Sequence, residues 1–267
     1  LAIPLVHIHA TSSYVDLPAN ASATLLVLAA HRALVTGEAS PRFLAGSGLL
    51  AATAANMKFQ LVPIVALASL VIVAIALRPA ARSLRRPRLA VIALALPIVF
   101  ATPIKNVVVH HNPVWPVELA GLPHVEEAYA QSPRHLADAP APVRFLRSVL
   151  EVDNRPIASH RRWSLDQWAP PDDPAARMGG FFGPYAAANL VALAAFAWRR
   201  RSREAISAAA LFGGVTVVAA FVPQSHELRY YMHWMIVLVC LNLVLWTREG
   251  AVARAALGLS AAAALAV

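Results

Sequence analysis

Four short stretches of the sequence place ionisable side chains beside long apolar runs. The stretches are SSYVDLP (12–18), NMKFQ (56–60), PIKNVVVHHNPVWP (103–116) and SHELRYY (225–231). They supply the candidate functional residues, which are Tyr14, Asp16, Lys58, Lys105, Asn106, His226, Glu227, Arg229 and Tyr230. Cations at the edge of a membrane are costly to keep without an anionic partner. A lipid phosphate or diphosphate would be such a partner, so the stretches predict a lipid-phosphate site.

Each of these residues also has a purely structural interpretation. Asp16 suits a helix N-cap, because it lies just before Pro18 and proline is favoured in the first turn of a helix. Both lysines and Arg229 are long enough to reach the headgroup region from the end of a span. Tyr14 and Tyr230 suit an aromatic belt at the membrane interface. The sequence leaves both interpretations open.

The composition predicts that these residues are carried by a membrane protein. The chain is 58% hydrophobic and only 14% charged, whereas about a quarter of the residues in a soluble domain are charged. Apolar runs of near-membrane length recur at 17–36, 42–57, 60–78, 89–104, 182–198, 205–223, 229–246 and 252–267. They predict an all-α, polytopic transmembrane bundle of about eight spans. The pair 42–57 and 60–78 is expected to form a tight hairpin.

The arginines predict the orientation of the bundle. They cluster in RPAARSLRRPR (78–88) and RRRSR (199–203), and basic residues in short loops mark the cytoplasmic side. The same alternation also puts HRALVTGEASPR and TREGAVAR inside, and leaves 105–181 outside. Acidic residues are weak determinants of topology, and eleven of the 14 lie outside in this orientation. We therefore expect the active face to be extracytoplasmic, on a multi-pass protein of the inner or plasma membrane.

The composition also predicts three blocks, with transmembrane helices at 1–104 and 182–267 and an extracytoplasmic cap at 105–181. The cap is rich in Trp, Pro and His. Within it, APVRFLRSVLEV has Val143, Leu146, Val149 and Leu150 at helical spacing. We expect a short amphipathic helix here that lies on the membrane surface.

Several function classes lack support in the sequence. The net charge of +9 comes from inside loops rather than from a solvated basic patch, so no nucleic-acid partner is expected. The adjacent pair His110 and His111 does not have the spacing of a metal site, and no metal ligands are predicted. Cys240 is the single cysteine, and it reads as a small buried hydrophobe. Phosphate-loop and hydrolase motifs are absent.

In their order along the chain, the four stretches resemble the polytopic glycosyltransferases of the GT-C class, of the mannosyl- or arabinosyltransferase type. SSYVDLP is similar to that family's Tyr-x-Asp opening of a span, and NMKFQLVP to its Lys, aromatic, then Pro hairpin. IKNVVVHHNPVWP is similar to its Lys-Asn…Gly-Asn-Pro exit, with His111 where glycine is usual. SHELRYYMHW is similar to its Arg-Tyr-aromatic start of a late span.

The resemblance implies a glycosyltransferase that uses a polyprenyl-phosphate sugar as donor, in contact with membrane lipid. Asp16 would be an accessory acid, Arg229 would hold the phosphate, and Glu227 would orient Arg229. The family's leading acidic pair would lie upstream of Leu1, so we expect the chain to be an internal or N-terminally truncated piece of a longer protein. The acceptor is left open among a glycan, a lipid and a protein, and a divalent metal is left open as cofactor.

Two other classes of function fit the same sequence. One is a transporter or flippase of a lipid-linked sugar, for which broken helices and buried mid-membrane acids would be expected. The other is a non-catalytic membrane subunit that scaffolds a partner. A polymerase or ligase of polysaccharide chains would be a close relative of the glycosyltransferase.

Overall fold

The part of the chain that the computed structural model describes is all-helical. It comprises residues 16–79, 82–113, 115, 121–123, 138–150, 183–222, 225 and 228–249. The α-helices are α1 (Asp16–Thr36), α2 (Pro41–Met57), α3 (Val62–Ala76), α4 (Arg82–Val99), α5 (Ala101–His110), α6 (Ala141–Leu150), α7 (Gly183–Arg200), α8 (Arg203–Phe221) and α9 (Met232–Glu249). Two 3-10 turns, Phe59–Leu61 and Leu228–Tyr231, lead into α3 and α9. The predicted all-α class is confirmed.

The predicted number of about eight spans is not confirmed. Six of the first seven predicted spans each coincide with one of these helices, and the span 89–104 runs across the break between α4 and α5. The run 252–267 lies outside the described residues. However, only Phe59–Ala76 and Arg203–Phe221 are long and apolar enough, within the described part of the chain, to cross a membrane alone. The bent pair Arg85–Val99 and Ala101–His110 makes a third if it acts as one span. The other runs fall short because they are brief, rich in Ala, Gly and Ser, or end in arginines.

The residues divide into two compact units, 18–131 and 132–267 together with 1–17. We call them the α1–α5 unit and the α6–α9 unit. This division differs from the three blocks predicted from composition, which stay a prediction.

The α1–α5 unit is built around the contact of α2 with α4. Small residues line this contact, and a Cβ added at Gly48 would lie 3.1 Å from the Cβ of Ala95. The missing side chain of Gly48 thus lets the two helices approach closely, as small residues do in membrane helix pairs. Helix α3 also packs on α2 after the 3-10 turn, which gives the expected tight hairpin.

The α6–α9 unit packs α7, α8 and α9 against one another. A buried amide pair joins two of them, because Asn242 Nδ2 donates to the backbone carbonyl of Asn189 at 2.9 Å and to its Oδ1 at 3.1 Å. Trp234 Nε1 likewise donates to Thr216 Oγ1 at 2.9 Å, which ties α9 to α8. Polar side chains inside apolar helices therefore fix the register of this bundle.

Helix α6 forms where the amphipathic pattern predicted it, but the predicted face is only partly the buried one. Phe145 and Val149 are buried against the protein, whereas Val143 and Leu146 are exposed. The helix contacts α7, α8 and the 3-10 turn before α9. The reason is that the ring of Phe145 packs against the rings of Tyr231 and Trp234 in the bundle.

Candidate functional site

The first candidate region lies in the α1–α5 unit and is a bend between α4 and α5. The two helices meet at 45°, and Phe100 between them departs from helical geometry with φ −99° and ψ 19°. Two prolines, Pro97 and Pro103, flank the break. Pro103 has no N–H to donate to the carbonyl of Val99 four residues earlier, so the helical hydrogen-bond ladder is interrupted there.

The side-chain amide of Asn56, from the end of α2, is inserted into this break. Its Nδ2 donates to the carbonyl of Ile98 at 2.8 Å, and its Oδ1 accepts from the N–H of Thr102 at 2.8 Å. In a regular helix that N–H and that carbonyl would bond to each other. The Nδ2 also lies 3.5 Å from the carbonyl of Val99, the one that Pro103 leaves without a donor. An amide from another helix therefore holds the bend open.

Lys58 follows Asn56 at once, in the link between α2 and the 3-10 turn. Its backbone N–H donates to Ala54 O at 3.1 Å and its carbonyl accepts from Leu61 N–H at 3.0 Å, so its position is fixed from both sides. The residue is only 7% exposed. Burying an ammonium group costs several kcal/mol unless other groups compensate. This lysine therefore does not fit the interpretation as a surface residue that reaches freely into headgroups.

Helix α5 continues past the predicted end of its span at 104, so Lys105 and Asn106 lie on the helix rather than in the loop. Lys105 is exposed. Asn106 is 7% exposed, and its Nδ2 donates to the carbonyl of Trp115 at 3.3 Å. The ring of Trp115 stacks on His110 at 4.4 Å between centroids. The amide predicted to bind substrate thus holds the exit turn against α5.

The turn after α5 begins at His111, whose φ of 55° is left-handed. Glycine adopts this conformation without steric cost, and most other residues do not. This is the position at which the resemblance expects glycine. The turn is held further by Asn112, which is fully buried and donates through Nδ2 to the carbonyl of Pro123 at 2.9 Å.

The second candidate region lies in the α6–α9 unit and is the aromatic cluster around the start of α9. Tyr231 and Trp234 are buried, and Phe145 of α6 packs edge-on against both rings, with centroids 6.4 and 5.7 Å away. Ser225 Oγ donates to the carbonyl of Ala141 at 2.8 Å, which ties the stretch before α9 to the first residue of α6. This cluster provides a rigid base for the 3-10 turn that carries the predicted phosphate-binding residues.

Arg229 and Tyr230 lie in that 3-10 turn. The structure describes Arg229 by its backbone alone, and Tyr230 is half-buried with its ring 6.4 Å from that of Tyr231. Tyr14, His226 and Glu227 lie outside the described residues. Asp16 is the first residue of α1, is 6% exposed, and belongs to the α6–α9 unit.

In the α1–α5 unit the structure therefore joins the predicted stretch 56–60 to residues 98–102, which lie just before the predicted stretch 103–116. Asn56 makes that connection, and it is the residue that sequence reasoning missed. Its signal was an amide at the end of an apolar run, in a chain where another run is broken by two prolines.

Among the described residues no group of three or more His, Cys, Asp or Glu side chains is placed to hold a metal ion. The divalent metal left open by the resemblance has no candidate ligand set in this part of the chain. Comparison with known proteins finds no match to a family model, to a curated protein or to a solved structure. The GT-C resemblance accordingly stays a prediction.

Proposed function

We propose that the chain is part of a membrane glycosyltransferase of the GT-C type, which moves a sugar from a polyprenyl-phosphate donor to an acceptor on the extracytoplasmic face. In this proposal the helices form a multi-pass bundle, with α4 and α5 as one bent span and the shorter helices shielded from lipid by their neighbours. The residues proposed to bind the donor are Tyr14, Lys58, Lys105, Asn106, His226, Glu227, Arg229 and Tyr230, and Asp16 is proposed as an accessory acid.

The observation that supports the proposal best is the junction of Asn56 with the α4–α5 bend. The junction fixes the link that contains Lys58 to the break between α4 and α5. Helix α5, which contains Lys105, begins at the same break. Two cationic stretches far apart in sequence are thereby held in one compact unit. Preorganised cations of this kind suit a diphosphate or phosphate leaving group, because they need no rearrangement as charge develops.

Helix α6 supports the second half of the proposal. It covers Tyr231 and Trp234 with Phe145, and it exposes Val143 and Leu146. Exposed apolar side chains beside a rigid aromatic cluster suit a helix that is half in protein and half in the membrane interface. In that arrangement a prenyl chain can lie along α6 while its phosphate reaches Arg229.

The test is transfer of labelled sugar from a polyprenyl-phosphate donor in membranes that contain the protein. A charge-assisted contact contributes about 1.5–3 kcal/mol, so Lys58→Ala and Arg229→Ala should each lower transfer by about tenfold to a hundredfold. Arg229→Lys should retain only part of the transfer activity that Arg229→Ala loses, because the lysine ammonium is a point charge and lacks the planar fork of the guanidinium group.

Arg42→Ala is the matched control, because Arg42 is exposed at the opposite end of the helix that Lys58 follows. It should leave transfer unchanged at equal membrane abundance. Normal transfer in both Lys58→Ala and Arg229→Ala would reject the proposed donor site.

One observation favours a second candidate, a transporter of a lipid-linked sugar. Helices broken near the middle of a membrane span are common in transporters, and α4 and α5 form such a pair. A transporter would move a fluorescent donor analogue across proteoliposomes and leave its sugar–phosphate bond intact. A glycosyltransferase would consume the donor without moving it.

A further inference from the structure

A second cationic feature lies at the opposite ends of the helices that carry the candidate site. A cavity of about 530 Å³ opens between the C-terminal end of α3 and the first turns of α4. The lining comprises Ala76, Leu77, Arg78, Arg85, Arg88 and Leu89, together with Pro79. Three guanidinium groups thus share one concave space, in the loop predicted to face the cytoplasm.

One of these arginines is held in place by the protein. Arg88 Nη1 donates to the carbonyl of Ala76 at 3.3 Å, near the C-terminal end of α3. Its Nε is buried and has no hydrogen-bond acceptor among the residues that the structure describes. A buried guanidinium N–H without an acceptor is costly. An acceptor supplied by a ligand would remove that cost.

The sequence around the cavity offers no acid for this role. No Asp or Glu occurs between Glu38 and Glu118, and Glu38 already lies 3.5 Å from Arg32. The positive charge of the cavity is therefore not neutralised by acids from its own helices. A phosphate group matches the planar fork of arginine and binds two such groups at once.

A separate apolar cavity of about 90 Å³ lies farther along α3 and α4, where α2 also packs against them. Its lining includes Ile72 and Val73 of α3 and Val91 and Ile92 of α4. Val73 precedes Ala76 by three residues, about 4.5 Å along the helix axis at 1.5 Å per residue. Leu94 of the same helix α4 is 70% exposed. A cationic cavity followed by apolar space is the order in which a lipid presents its phosphate and its acyl chains.

We propose that this cavity binds the phosphate of an anionic membrane phospholipid, with Arg85 and Arg88 on the phosphate and an acyl chain along α3 and α4. Basic pockets between membrane helices on the cytoplasmic side bind anionic headgroups in this way. This site is separate from the proposed donor site and does not depend on glycosyl transfer.

The experiment is native mass spectrometry of the delipidated full chain, titrated with phosphatidylglycerol. Phosphatidylcholine with the same acyl chains tests the headgroup charge, and soluble glycerol phosphate tests the need for a chain. We expect retention of phosphatidylglycerol alone. Arg85→Ala and Arg88→Ala should each weaken its binding by about tenfold to a hundredfold.

Arg86→Ala is the control, because Arg86 is an exposed neighbour on α4 that does not line the cavity. It removes the same charge and should change binding by no more than about fivefold, the effect of one charge near an anionic surface. An equal loss of phosphatidylglycerol binding in Arg85→Ala and Arg86→Ala would mean that binding depends only on the total charge of the loop, and it would overturn the proposed site.

Equal binding of glycerol phosphate would overturn the assignment to a lipid. Arg85 is exposed, and its replacement leaves the contact of Arg88 with Ala76 in place. The comparison of phosphatidylglycerol binding by Arg85→Ala and Arg86→Ala therefore tests the proposed site even if Arg88→Ala does not fold.

Discussion

Replacing Asn56 tests whether an amide from α2 holds the α4–α5 bend open. In the parent protein, the Asn56 amide makes hydrogen bonds of 2.8 Å with the carbonyl of Ile98 and with the N–H of Thr102. Both bonds are lost in Asn56→Leu. A neutral hydrogen bond contributes about 0.5–1.5 kcal/mol net. The two bonds together predict a loss of about 1–3 kcal/mol in the free energy of unfolding.

A competing outcome is that the helix repairs itself. The N–H of Thr102 could return to the carbonyl of Ile98, and the bend of 45° would close. Helix α5 is about 15 Å long, so full straightening would move its far end by roughly 11 Å. Pro103 opposes this repair, because the carbonyl of Val99 still has no helical donor. We therefore expect the loss of stability to prevail.

The assay is equilibrium unfolding of the purified chain in detergent, with Thr53→Ala as the matched control. Thr53 is exposed on the same helix and bonds only within it, through Oγ1 to Leu49 O at 2.9 Å. Its replacement should cost less than about 1 kcal/mol. An Asn56→Leu variant as stable as Thr53→Ala would refute the role of the inserted amide.

Three further predictions concern the packing of α2, the turn after α5 and the loop between α1 and α2. Gly46→Ala should stabilise the chain by up to about 1 kcal/mol, since nothing lies within 4 Å of an added Cβ, whereas Gly48→Ala should gain nothing or lose stability against α4 in the same unfolding assay. His111→Gly should be neutral to slightly stabilising and His111→Val destabilising by about 1 kcal/mol or more, because its φ of 55° suits glycine and not a β-branched residue; equal melting temperatures would contradict this. Hydrogen bonds from the side chain and then the backbone of Ser40 lower the pKa of Glu38 below 4.5, with a smaller effect of Arg32. The stabilisation from Glu38 is therefore present above about pH 4.5 and lost as the pH falls through the lowered pKa, so melting curves of Glu38→Gln and the parent should differ near neutral pH and converge in acid.

The helices could be predicted from the sequence because apolar runs bounded by Arg, Pro and Gly carry that signal locally. The number of helices that can cross a membrane alone could not be predicted in this way. Helix α2 looks apolar when Ala and Gly are counted as such, yet its small residues serve the close contact of Gly48 with α4. Composition does not separate a helix that faces lipid from one that is packed between neighbours.

The candidate site was predictable in its residue types and not in its connections. Asn56 meets its partners 42 to 46 residues away, and no local pattern reveals such a pairing. The side of α6 that packs against protein could not be predicted for the same reason. Its periodicity gave an apolar stripe, but the position of Phe145 depends on rings in α9, which lies far along the chain.

The bond between Ser225 and Ala141 spans 84 residues, and this has a consequence for how the chain is assembled. Helix α6 is synthesised before the bundle that buries it. At about 5–20 residues per second, roughly 4–17 s pass between the two ends of this bond. During that interval Phe145 has neither Tyr231 nor Trp234 as an aromatic partner. The contacts of α6 with α7 and α8 can therefore form before its contacts with Tyr231 and Trp234, which must wait for α9.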